Sequence, residues 1–235
     1  MRRLLLVLAF VPLPACAWTR VSDQQIAQMS AELAPPDLRL LIQRFPREYA
    51  RGLDRAFADA GEIHGTNLRQ STERETRKIV AMIRTNQPMS AVVEQLGILA
   101  HLVGDANNPF NVRSTADLEP SRTDFEGYFE RALPKFPTVF YGLEHRFQLG
   151  MYLDQAFART AHFTPLMGEE YFRFGERRTS IEFDDRSTAF GVASLCYSHA
   201  VSDAVNLYYY IWREAGGDVR PASFLRGRGV FANGN

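Results

Sequence analysis

Cysteine is almost missing from this chain: Cys16 and Cys196 are the whole supply in 235 residues. Lysine is nearly as scarce, at Lys78 and Lys135 alone among 27 basic residues. Net charge is absent too, with 27 acidic residues set against those 27 cations. Two cysteines so far apart build no disulfide framework, so stability must come from a core, which a chain of this length can supply. The lysine shortage reads as codon bias rather than function. Balanced charge excludes an ordinary electrostatic nucleic-acid binder, though not an enzyme that grips phosphate through metal.

Long apolar runs are missing as well. No stretch approaches the roughly 20 residues that crossing a bilayer requires. The nearest is at the start, where Arg2 and Arg3 precede an apolar run from Leu4 to Leu13 and a small-residue site, Ala15-Cys16-Ala17. That pattern predicts a secretory signal over 1–17, an exported (periplasmic or secreted) protein, and one domain over 18–235. Cleavage after Ala17 makes Trp18 the first residue, with net charge near −2 and Cys196 as the sole thiol. "LPAC" also offers an imperfect lipidation box, which would instead start a lipid-anchored chain at Cys16. Cys196, in an apolar segment, reads as an inert buried thiol.

Strand alternation is scarce, and helical spacing dominates. Ser22 is expected to cap a helix carrying Ile26, Met29 and Leu33. "PPDLRLLIQRF" restarts one after Pro35, with Pro36 suited to the first turn. Further helices are expected over 47–60, 67–84, 90–106, 122–133, 139–161 and 187–215. The 90–106 segment, "SAVVEQLGILAHLVGDA", is apolar nearly all round, as a central buried helix should be. The fold class is all-α, a single-domain multi-helix bundle. Two polar stretches interrupt it, "DAGEIHGTN" and "DANNPFNVRSTADLEPSR", and such loops tend to carry site residues.

His101 and Asp105 stand four residues apart, so both emerge on one face of the most apolar helix. An imidazole and a carboxylate there can be a satisfied core pair or two zinc ligands. Burying the charge costs several kcal/mol unless something compensates, and a divalent cation would. His199 and Asp203 repeat the spacing in the last helix. There the bland reading is preferred, a core histidine bonded to its neighbouring carboxylate; the sharper one adds the pair to a metal site. "NLYYYIW", 206–212, reads as core. His145 and His162 read as surface residues.

"AHLVGDANNPFN" and "WTRVSDQQIAQMSAEL" together resemble the zinc-dependent phospholipase C and fungal-type zinc single-strand nuclease superfamily. The similarity covers most of 18–126. It implies that Trp18 chelates zinc through its terminal amine and carbonyl, which favours cleavage after Ala17. It implies Asp23 as a ligand where the nucleases carry histidine, and Asp54, His64, His101 and Asp105 as further ligands. Asp105 would bridge two Zn2+ ions, and Asp54 and Asp105 would be the catalytic carboxylates; Asp59 competes with Asp54 for its place. The third site is read as lost, because Asn111 and Arg122 stand where the family has histidines, and only Glu126 is kept. Arg122 could instead face a substrate phosphate. The expectation is an exported zinc hydrolase of phosphodiesters, phospholipid or small phosphodiester in preference to nucleic acid. A degenerate, non-catalytic envelope protein on the same scaffold is the alternative.

Overall fold

The computed structural model describes residues 18–64 and 67–219. The expected signal segment and the choice of mature N-terminus lie outside the described residues. Eleven α-helices and no strand occur among those described. The all-α expectation holds.

Helix α1 spans Arg20–Leu33 and begins one turn earlier than its spacing suggested. The cap is Thr19, whose hydroxyl accepts the Ser22 N–H, so Ser22 lies inside the helix and is buried. Helices α2, Pro36–Arg44, and α3, Pro46–Ala58, each carry proline in the first turn, where a missing N–H costs nothing. A short α4, Ala60–His64, follows; it places His64 at a helix end rather than in an open loop. Asn67 caps α5, Leu68–Arg84, by accepting the Gln70 N–H.

Helix α6, Met89–Ala106, is the axle of the molecule, buried without a break from Gln95 to Ala106. Its approach to α3 depends on two glycines. A Cβ on Gly52 would stand 1.9 Å from the Glu94 carbonyl oxygen, and one on Gly97 would stand 2.2 Å from that of Tyr49. Neither position admits a side chain without parting the helices.

Beyond α6 come the short α7, Pro109–Val112, and α8, Arg122–Ala132. Then follow α9, Leu149–Ala161, α10, Phe163–Tyr171, and the long α11, Thr188–Glu214. The "NLYYYIW" run lies in α11 and buries Leu207, Tyr208 and Ile211 in the core, as expected. Cys196 is fully buried there too.

One expected helix fails over half its length. Residues 136–148 do not join α9; they form an extended strap along α11. The hydroxyl of Ser198 accepts the Val139 N–H and donates to the Pro137 carbonyl. Ser202 does the same for Tyr141 N–H and the Val139 carbonyl. Asn206 takes the Glu144 N–H and donates to the Gly142 carbonyl. The strap therefore satisfies its backbone with helix side chains, which removes the penalty that otherwise drives an apolar segment into helix or sheet. Helix α10 was not anticipated, because it follows α9 directly with no loop residues to announce it.

Candidate metal centre

Two helices deliver the site. His101 and Asp105 project from α6, both essentially without solvent exposure, and His64 arrives from the end of α4. His64 Nε2 lies 2.6 Å from Asp105 Oδ2, and His101 Nε2 lies 3.3 Å from the same oxygen. The two Nε2 atoms are 3.3 Å apart and share a hydrogen bond. Nitrogen, nitrogen and oxygen donors thus converge on one point, a ligand set suited to zinc.

The fit can be judged from lengths. Zinc bonds of 2.0–2.1 Å in a tetrahedron separate the ligand atoms by about 3.3 Å. Two of the three separations here already have that value. The third, at 2.6 Å, must widen by about 0.7 Å to admit the ion. Among the described residues no aligned donor reaches either carboxylate oxygen of Asp105, although both are buried. An unsatisfied buried carboxylate is costly, and a cation on it removes that cost. The residues fit the group.

Asp23 has a different place from the one the resemblance implied. Its Oδ2 lies 2.7 Å from His101 Nδ1, on the far side of the ring from the converging donors. Asp23 therefore stands behind His101: it accepts the Nδ1–H and leaves Nε2 to face the converging donors. The close approach of α1 that makes this possible depends on Gly104, whose missing Cβ would lie 3.1 Å from Asp23 Oδ1.

Trp18 anchors the same corner. Its indole Nε1–H donates to the Gly104 carbonyl at 2.7 Å, and its ring packs 3.9 Å from that of Phe129. The tryptophan thus has a structural reason to stand where it does, and its side chain is buried.

Asp54 is not brought to the group. It pairs with Arg20 at 2.6 Å near the surface, with 42% of its side chain exposed, because its face of α3 looks outward beside α1. Asp59 is an exposed residue at the end of α3.

Burial opposes a charge on His101, but Asp105 and Asp23 outweigh it and raise the imidazole to about 9. Burial likewise raises the Asp23 carboxyl, against the pull of His101. Glu126 is pushed up to about 8 by burial, with Arg122 opposing and Asp105 and Glu119 adding to the rise. Its Oε1 is buried with no donor.

Asn111 and Arg122 form a brace beside Asp105. Arg122 donates to Asn111 Oδ1 at 2.5 Å, to the Phe110 carbonyl at 2.7 Å and to Glu119 at 2.6 Å. Asn111 in turn reaches the Asp105 carbonyl at 3.4 Å. Arg122 brings a second bond to Glu119 as well, so of five N–H groups it retains one for anything else.

The second His-x-x-x-Asp pair is built otherwise. Asp203 is held by Arg159 at 2.5 Å, Tyr152 Oη at 2.7 Å and Asn107 at 2.9 Å. His199 does not bond it; the ring is half-buried and stacks 4.4 Å from that of Tyr141. Both expectations for this pair need correction, since Arg159 has taken the carboxylate from histidine and metal alike. His145 and His162 lie at the surface as expected.

Comparison with protein-family models, with curated proteins and with solved structures finds no match to this chain.

Proposed function

We propose that the protein is a metal-dependent phosphodiester hydrolase with zinc held by His64, His101 and Asp105. The observation that carries this reading is the convergence of two imidazole nitrogens on a fully buried carboxylate to which, among the described residues, no aligned hydrogen bond is made. When bound, zinc supplies Lewis acidity toward a phosphoryl oxygen and lowers the pKa of its water.

The chain's own residues supply the rest. Asp23 holds the His101 ring with Nε2 toward the centre. Trp18, through Gly104, fixes the turn of α6 from which Asp105 projects. The Arg122–Asn111 brace steadies the carbonyl end of that helix. Glu126, kept protonated near neutral pH, can hold a proton beside Asp105 without adding a second charge. Asp105 Oδ1 remains a donor for the second ion that the resemblance implies.

A non-catalytic scaffold is the second reading. It is favoured by Arg122, whose donors are mostly consumed by neighbours where the family keeps a metal ligand. Plasma emission spectroscopy on the purified chain, paired with hydrolysis of a chromogenic phosphodiester, separates the two. One or more zinc ions per chain with chelator-sensitive cleavage supports the hydrolase. Less than one metal and no cleavage leaves the scaffold.

A further inference from the structure

Behind the same centre, α3, α5 and α6 leave a cleft of about 220 Å³ that the hydrolytic reading does not use. Arg55, Arg74 and Lys78 line it, with the buried Ser71 and Glu75 beneath them. Its apolar wall includes Ile63 and Leu102, the chain neighbours of His64 and His101.

The charges do not cancel. Lys78 is committed to Glu75 at 3.2 Å and to Gln95 at 2.5 Å. Arg55 comes only to 3.7 Å from Glu94, which Arg51 already holds at 2.8 Å. Arg74 makes no ion pair among the described residues; it donates to Ser71 Oγ at 3.0 Å. Among the lining residues three cations face one carboxylate, with Glu94 reaching Arg55 from the side, in a protein whose charge is balanced overall. Burial also pushes the Glu75 carboxyl up, against Lys78, Arg74 and Arg55, which weakens the one neutralising group. Arg74 is exposed at the rim, as are Arg55 and Lys78, but its guanidinium fork stands beside the buried Ser71 hydroxyl at the edge of an apolar wall, where it can hold an oxyanion through two bonds.

Ser71 also ties the cleft to the metal centre. Its hydroxyl donates to the His64 carbonyl at 2.6 Å while accepting from Arg74. An anion drawn to Arg74 therefore sits one hydrogen-bonded residue from a metal ligand.

We propose that this cleft, built on Arg74 with Arg55 and Ser71, receives a second phosphate group of the substrate. The preferred substrates are then phosphodiesters that carry a further phosphate beside the scissile one. The substrate claim rests on the hydrolase reading; the oxyanion site does not.

Pyrophosphate is the first probe, titrated calorimetrically into the full chain stripped of metal. Wild type binds it, Arg74→Gln weakens binding at least tenfold, Arg74→Lys falls between, and Arg39→Gln, on α2 and outside the cleft, matches wild type. The second arm compares KM for a dinucleotide with and without a 5′-phosphate, and for glycerophosphoinositol with and without a ring phosphate. A preference for the phosphorylated member that disappears in Arg74→Gln supports the substrate claim, and the pair that shows it identifies nucleotide or headgroup as the source. Absent pyrophosphate binding, or binding unchanged in Arg74→Gln, overturns the site whatever the hydrolysis shows. Arg74-dependent binding without cleavage of any substrate keeps the site and removes the hydrolase reading instead.

Discussion

His101 with Asp105 and His199 with Asp203 have the same spacing, each on a long buried helix, and have opposite fates. Around the first pair the chain gathers another imidazole, His64, and another carboxylate, Asp23, but among the described residues no arginine or lysine contacts the Asp105 carboxylate. Around the second it places Arg159, Tyr152 and Asn107, which together satisfy Asp203. Burial drives His199 down to about 4, with Arg159 assisting and Asp203 opposing, while His101 rises to about 9. The spacing puts two groups on one face and decides nothing more. Whether a cation has a place there depends on the segment that packs across.

The largest test of the contrast is removal of each carboxylate. Asp105→Asn should lower zinc affinity by more than about a hundredfold, because a ligand outweighs an outer partner. Asp203→Asn should leave zinc content untouched and instead cost about 2–3 kcal/mol in urea unfolding. That lies below the usual cost of breaking a buried pair, since Arg159 keeps 31% exposure. Zinc loss in Asp203→Asn would erase the distinction.

Proton competition follows next. Zinc must displace the proton from His101 Nε2, so its affinity should climb as pH rises from about 6.5 toward 9. In the metal-free protein the sign reverses. A folded pKa raised above the unfolded value gives stability that is complete below pH ~6.5 and is lost as pH climbs through about 9. Chelator-treated protein melted at successive pH values should show that fall, and a flat profile would sink the account of His101.

Asp23→Asn should weaken zinc by about 10–100-fold, the usual effect of altering an outer partner of a ligating histidine. A change smaller than about threefold would mean that the ring needs no such support. Smallest of all, His199→Gln should move stability by less than about 1 kcal/mol and leave zinc alone, because the ring makes stacking contacts and no polar bond.

The sequence made some of this legible and hid the rest for physical reasons. The buried α6 was plain from its unbroken apolar character, and with it the shared face of His101 and Asp105. His64 could be proposed only by resemblance, since nothing local distinguishes a ligand from a surface histidine. Asp23 was expected as a ligand, yet it serves His101 from behind; 78 residues separate the two, and a ring's orientation is set by packing. Asp54 looked equivalent to its neighbours until Arg20 was seen to hold it. Residues 139–148 carry enough apolar side chains to read as helix. The contrary signal lay elsewhere, in the polar series Ser198, Ser202 and Asn206 within an otherwise apolar α11.

That series acts as a vernier. Four residues of helix rise about 6.0 Å, whereas two residues of extended chain cover about 6.6 Å, so strap and helix drift out of step by roughly 0.6 Å at each rung. The first two rungs, at Ser198 and Ser202, each serve carbonyl and N–H groups two residues apart. The third skips ahead by one residue: Asn206 meets Gly142 and Glu144. Gly142, at φ 94°, takes the kink that folds the extra residue away, and the longer amide arm spans what remains. The scale can be read in reverse. Deleting one residue between Val139 and Gly142 should make all three rungs equal, leave Asn206 on the same Gly142 and Glu144 groups, and keep α9 where it is.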